Sequence, residues 1–102
     1  MEEEEKEKIR NYYLEKMDAI GIPEHMRNDL VNYIVDGVST GGFLKAVIKN
    51  NLIDTYGTAD GTNEKHIKAY ADFLYNVMPA TAFGSQERYE MWKSHGGLNG
   101  RK

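Results

Sequence analysis

The sequence predicts an all-α fold, a compact bundle of about five short helices joined by turns that contain glycine. Apolar residues recur at three- and four-residue spacing in every long segment, which is the period of an amphipathic helix. No stretch shows sustained two-residue alternation, and no hairpin dipeptide lies between β-branched runs. Because 102 residues is close to the commonest size of one domain, residues 1–102 are predicted to form a single helical domain.

Glycine and proline delimit the first two predicted helices. An apolar stripe that includes Ile9 predicts an acidic N-terminal helix within residues 1–20, with Gly21 as its C-terminal cap. Pro23 fits the first position of the second helix, and Gly37 ends it. The second helix carries apolar residues on a wide face, which predicts a central position in the bundle.

Three further helices are predicted, and each opens at a small polar or glycine-rich turn, at residues 39–42, 58–63 and 84–85. The third helix is expected to break near Gly57, and Pro79 stops the fourth. A glycine pair at residues 96–97 ends the fifth helix. Residues 98–102 are expected to form a flexible tail.

Composition and charge exclude several classes of protein. The chain has no Cys, which excludes disulfide frameworks, Cys-based zinc sites, iron–sulfur clusters and thiol nucleophiles. The longest apolar runs are only a few residues, so no membrane partner is expected. The formal charge of −3 argues against a generic nucleic-acid binder. Residues 1–10 hold five of the 16 acidic and three of the 13 basic residues, which leaves a nearly neutral body.

No residue pattern in the chain indicates catalysis, so no catalytic residue, metal or cofactor is predicted and the protein is interpreted as a non-enzyme. The three histidines lie far apart, and no two share a helix face at the four-residue spacing of a zinc site. Each of three serines, Ser39, Ser85 and Ser94, falls where a helix cap is expected and lacks the glycines of a nucleophile elbow. An enzyme of an unrecognised kind is left open.

Two of the predicted helix starts are candidate anion sites, because a helix start exposes free N–H groups and the positive end of the helix dipole. Each also carries a cation one turn into the helix. The candidate ligand-binding residues are Ser39, Thr40, Gly41, Gly42 and Lys45 at one start, and Ser85 and Arg88 at the other. Three aromatic residues are candidates to stack a base, Tyr70, Tyr89 and Trp92. The alternative interpretation is ordinary helix capping together with an aromatic core.

An ordered series of short motifs runs through residues 21–98. It comprises Gly21-Ile22-Pro23-Glu24-His25-Met26-Arg27, Gly41-Gly42-Phe43-Leu44-Lys45-Ala46-Val47-Ile48, Phe73-Leu74-Tyr75-Asn76, Gly84-Ser85, Trp92 and Gly96-Gly97-Leu98. This order resembles a family of small uncharacterised proteins encoded by phages and prophages. The resemblance implies a phage accessory protein in the cytoplasm of a bacterial host cell, and it supplies no catalytic residue.

Because small phage accessory proteins commonly block host defence, the first hypothesis is a non-enzymatic sponge for a nucleotide immune signal, of the cyclic dinucleotide or cyclic ADP-ribose type. The second is a protein-binding inhibitor or adaptor of a host defence protein, acting through its acidic helix or an apolar stripe. The third is a DNA-binding accessory protein, although the candidate recognition helix offers only Lys45 and Lys49 as bases. A homo-oligomer is also expected, formed through the Tyr12–Tyr13 face of the first helix.

Overall fold

The computed structural model describes residues 1–100, and its fold is all-α, with no strand in that range. Eight α-helices surround one hydrophobic core. They are α1 (Glu3–Ile20), α2 (Glu24–Asp36), α3 (Gly42–Ile48), α4 (Leu52–Thr58), α5 (Gly61–Lys65), α6 (Ile67–Asn76), α7 (Gln86–Ser94) and α8 (Gly97–Gly100), with a 3₁₀ turn at Ala80–Ala82 between α6 and α7.

Helices α1 and α2 end where glycine allows a left-handed backbone. Gly21 has a φ of 98° and donates its N–H to the Met17 carbonyl, which ends α1. Gly37 has a φ of 68° and ends α2 in the same way. Because residues with a side chain rarely adopt this conformation, glycine at these positions determines where each helix stops.

Within residues 1–100 the structure has eight helices where about five were predicted, because the predicted third helix is divided into α3 and α4 and two short helices, α5 and α8, form where a turn and a tail were expected. Asn50 takes a left-handed φ of 63° and separates α3 from α4. The side chain of Asn51 then accepts the N–H of Asp54 and caps α4. His66, with a φ of −115°, lies between α5 and α6 without entering the left-handed region. The apolar spacing continues across Asn50, so periodicity alone predicts one uninterrupted helix there. Helix α5 has no apolar side chain, so periodicity does not predict it.

Residues 97–100 form α8 against α2, where a flexible tail beginning at residue 98 was expected. A Cβ atom built on Gly97 would lie 2.6 Å from the Gly37 nitrogen and 2.8 Å from the Ile34 carbonyl oxygen, so the two backbones meet directly. Asn99 adds a hydrogen bond to the Asp36 carboxylate at 3.2 Å. Residues 101 and 102 of the expected tail lie outside the described residues.

Helix α2 is the central element of the core. Its buried residues are Leu30, Val31, Tyr33, Ile34 and Val35. The Tyr33 hydroxyl donates to the Ala82 carbonyl at 2.7 Å, and the Trp92 indole N–H donates to the Tyr33 carbonyl at 2.9 Å. These two bonds fasten the 3₁₀ turn and α7 to α2.

Helix α1 is fastened to α2 by its basic side chains. Lys6 pairs with Asp36 at 2.9 Å, and Arg10 donates to the Asn32 side chain at 2.7 Å. Tyr13 is buried in the core, whereas Tyr12 is half exposed, so the two tyrosines do not form the shared outer face expected for an oligomer. No helix within residues 1–100 is both long enough and apolar enough to cross a membrane.

Candidate functional site

Tyr89 lies at the centre of a polar cluster that joins α7 to the loop between α2 and α3. Its ring stacks on Tyr33, with centroids 5.2 Å apart and planes inclined by 11°. Its hydroxyl oxygen accepts the Thr40 N–H at 3.1 Å and lies 3.3 Å from the Thr40 hydroxyl. Tyr89 therefore fixes the position of the loop that leads into α3.

Two lysines from different helices approach this same ring. The Lys45 Nζ atom of α3 lies 5.8 Å from the Tyr89 ring centroid, and the Lys93 Nζ atom of α7 lies 5.0 Å from it. Lys93 is also 3.8 Å from the Glu90 carboxylate, a long and partly exposed ion pair. Since exposed pairs of this kind contribute little, both ammonium groups retain most of their capacity to bind an anion.

The pKa of Tyr89 is lowered mainly by the hydrogen bonds that its hydroxyl oxygen accepts from Thr40. Burial raises it, but hydrogen bonds from the Thr40 side chain and backbone, the charge of Lys93 and a hydrogen bond from Ser39 together outweigh burial. The net result is a pKa below the ordinary tyrosine value. Shifts that combine burial with charged neighbours are typical of functional sites, although structural networks also produce them.

Gly41 and Gly42 form an open surface beside this cluster. Both are exposed, and a Cβ atom built on either would have no neighbour within 4 Å. Gly41 precedes α3 and has no side chain, so the start of α3 carries no side-chain cap. The predicted residues from Ser39 to Lys45 therefore lie together with Tyr89, and Lys93 joins them as a residue that the sequence analysis missed.

At the second predicted anion site, both candidate side chains form hydrogen bonds within the protein. The Ser85 hydroxyl accepts the Arg88 N–H at 3.1 Å and caps α7. The Arg88 guanidinium donates to the carbonyls of Ala80 and Phe83 at 3.2 and 3.3 Å. Ser85 and Arg88 thus close the turn before α7, and Arg88 does not approach the Lys45 cluster in any described contact.

The three rings predicted to stack a base are all buried. The Tyr70 hydroxyl donates to the Asn63 side chain at 2.7 Å, and its ring packs edge-on against Phe43. Trp92 and Tyr89 pack around Tyr33, as described above. None of the three rings therefore offers an open face to a nucleobase. Their burial agrees with the alternative interpretation, in which these rings belong to an aromatic core.

A groove of about 520 Å³ lies between α4 and α6, and the sequence analysis missed it. Its walls are mainly apolar and include Leu52 and Tyr75, with Asn51 and Asp72 as polar members. Neither Lys45 nor Arg88 lines it. The sequence signal was the apolar run after the Asn50–Asn51 pair, which was assigned to the buried face of a longer helix.

Within residues 1–100, no three His, Asp or Glu side chains lie close enough together to hold a metal ion. His25 contacts Asp60 at 3.2 Å, and His66 and His95 each place Nδ1 against a main-chain carbonyl of the helix that precedes them. Comparison with protein-family models, with curated proteins and with solved structures finds no match.

Proposed function

We propose that the chain binds a small phosphorylated ligand of nucleotide type, without turnover, at a surface formed by Ser39, Thr40, Lys45 and Lys93, here named the lysine site. One observation carries the proposal. Lys45 of α3 and Lys93 of α7 both approach the ring of Tyr89, whose hydroxyl holds the loop at Thr40.

The chemistry of the lysine site suits a phosphate group. An ammonium group is a compact point charge that binds phosphate oxygens, and hydrogen bonds between charged groups are about twice as strong as neutral ones. The Ser39 and Thr40 hydroxyls hydrogen-bond to Tyr89 and so hold the loop beside the lysines. Gly41 and Gly42 let a ligand approach the main chain, because no side chain covers them. Tyr89 acts as a positioning residue, since its buried hydroxyl accepts the Thr40 N–H.

From the resemblance to the phage family we infer that the ligand is a nucleotide immune signal of the infected bacterium. It is then a cyclic dinucleotide or a cyclic ADP-ribose derivative. Binding without turnover then withdraws the signal from its receptor. Because Tyr70, Tyr89 and Trp92 are buried, affinity at the lysine site comes from the phosphates rather than from stacking on these rings. The proposal therefore predicts weak discrimination among bases.

Calorimetry with cyclic diguanylate, cyclic ADP-ribose and pyrophosphate tests the proposal. We expect at least one of these to bind, and we expect the double variant Lys45→Ala, Lys93→Ala to bind it at least tenfold more weakly. The matched control is Lys65→Ala, Lys68→Ala, which removes the same charge from α5 and α6 and is expected to bind as the wild type does. Absence of heat for all three ligands up to about 1 mM contradicts the proposal, as does equal weakening by both double variants.

The alternative of a protein-binding inhibitor or adaptor has one observation in its favour, the exposed apolar side chains of α4 and α6. The DNA-binding alternative has less support. In the α2–α3 pair, Lys45 is exposed but Lys49 is partly buried, so α3 offers few charges to a phosphate backbone. Both alternatives stay predictions.

A further inference from the structure

The two lysines of the lysine site differ in their acidic partners. The Lys93 Nζ atom lies 3.8 Å from the carboxylate of Glu90, three residues earlier on α7. Lys45 forms no ion pair with an acidic side chain within residues 1–100. The charge of Lys45 is therefore free, whereas the charge of Lys93 is partly compensated by Glu90.

Glu90 lies close enough to act on any anion that Lys93 binds. An anion in contact with the Lys93 ammonium approaches a group that is only 3.8 Å from the Glu90 carboxylate. The charge of Glu90 is also felt at the aromatic pair next to the lysines. Burial is the main cause that raises the pKa of Tyr33, followed by Tyr89 and then by the negative charge of Glu90.

The charges of this group match one type of phosphate better than another. Lys45, Lys93 and Glu90 together carry a net charge of +1. A single phosphodiester has one negative charge, whereas a pyrophosphate group has two or more on adjacent phosphates. Because the energy between charges is proportional to their product, Glu90 repels pyrophosphate at least about twice as strongly as a phosphodiester at the same distance.

We infer that Glu90 is a specificity-determining residue of the lysine site, which disfavours adjacent, multiply charged phosphates relative to a single phosphodiester. Repulsion of the wrong ligand is a common source of specificity. The inference rests on the proposed function and narrows its ligand to a cyclic dinucleotide, whose phosphodiesters are separated. A cyclic ADP-ribose derivative, whose two phosphates are adjacent, is disfavoured. The same repulsion acts against nucleoside diphosphates and triphosphates.

Calorimetry of the wild type and of Glu90→Gln, with cyclic diguanylate and with pyrophosphate, tests the inference. We expect the wild type to bind cyclic diguanylate more tightly than pyrophosphate. Since an exposed charge pair is worth up to about fivefold in affinity, Glu90→Gln is expected to bind cyclic diguanylate about threefold more tightly than the wild type does. The gain for pyrophosphate is expected to be about tenfold, because its charge is at least doubled. The ratio of the two dissociation constants then shifts about threefold toward pyrophosphate.

The variant and its control each remove one negative charge from an exposed side chain. Glu90 is about half exposed, and glutamine has nearly the same size, so Glu90→Gln is expected to keep the fold. The matched control is Glu15→Gln on α1, which leaves the pair of Lys93 and Glu90 in place. This control is expected to bind the two ligands with the same ratio as the wild type.

An unchanged ratio in Glu90→Gln overturns the inference, and so does an equal shift in Glu15→Gln, because the effect then comes from the net charge of the protein. Tighter binding of pyrophosphate than of cyclic diguanylate by the wild type also overturns it. In these three cases the proposed function still stands. If the wild type binds neither ligand, the inference fails, and the proposed function fails with it when cyclic ADP-ribose is not bound either.

Discussion

Replacement of Gly97 by alanine is predicted to separate α8 from α2. Gly97 has a φ of 65°, and the new Cβ would lie 2.6 Å from the Gly37 nitrogen and 2.8 Å from the Ile34 carbonyl oxygen. Both neighbours are main-chain atoms of the end of α2, so neither can rotate away. The alanine must therefore displace α8.

The two penalties add to a large fraction of the stability of a small domain. A left-handed backbone costs alanine about 1–2 kcal/mol, and overpacking of this kind costs about 1–3 kcal/mol. We expect Gly97→Ala to lower the free energy of unfolding by about 2–5 kcal/mol, out of about 5–15 kcal/mol for a typical domain. Leu98, which packs on the core, moves with the displaced helix.

Urea denaturation followed by the fluorescence of Trp92, the one tryptophan of the chain, measures this loss. The matched control is Gly42→Ala, because Gly42 begins α3 in open space with an ordinary φ. The control is expected to be neutral or to gain up to about 1 kcal/mol. If Gly97→Ala unfolds within about 0.5 kcal/mol of the wild type, the direct backbone contact between α8 and α2 is refuted.

Three other predictions concern caps, buried hydroxyls and pH. Ser85→Ala is expected to lower the free energy of unfolding by about 1 kcal/mol in urea titrations through loss of the α7 cap, whereas exposed Ser94→Ala is expected to be neutral. Tyr33→Phe is expected to cost about 1–3 kcal/mol, because it leaves the buried Ala82 carbonyl without its donor; an equal stability of the two proteins contradicts this. Burial raises the pKa of Tyr33 and Tyr70 above 10, so the unfolded chain loses these protons first as the pH rises. The contribution of these two tyrosines to the free energy of unfolding, measured by urea titration, should therefore be constant below pH 10. Above pH 10 it should fall by up to about 1.4 kcal/mol per pH unit for each tyrosine.

The ends of the first two helices were predictable because local chemistry determines them. Gly21 and Gly37 adopt the left-handed backbone that ends a helix, and Pro23 precedes the next one. The break at Asn50 was not predictable from periodicity, since the apolar spacing continues across it. Helix α5 was not predictable from periodicity either, since it has no apolar side chain. Asparagine tolerates the left-handed region, but many asparagines lie within ordinary helices.

The candidate site was predictable only in its local part. The loop at residues 39–42 and Lys45 are near one another in the chain, so their proximity follows from one turn of helix. Lys93 and Tyr89 are four residues apart within α7, so their contact is a short-range one that the sequence analysis overlooked. The approach of Lys45 to the same ring depends on how α7 crosses the start of α3, which no short-range pattern specifies. Tyr70 and Trp92 were proposed as stacking rings because aromatic residues at helical spacing are compatible with either a ligand or a core, and the structure buries both.

Binding of a phosphorylated ligand at the lysine site can be tested by its location on the protein. Amide chemical shifts of the ¹⁵N-labelled protein, titrated with cyclic diguanylate, cyclic ADP-ribose and pyrophosphate, test this directly because they locate the contact. We expect the largest shifts at Thr40, Gly41 and Gly42, and we expect them to be lost in the Lys45→Ala, Lys93→Ala variant. Shifts confined to the α4–α6 groove, or no shifts with any of the three ligands, would contradict it.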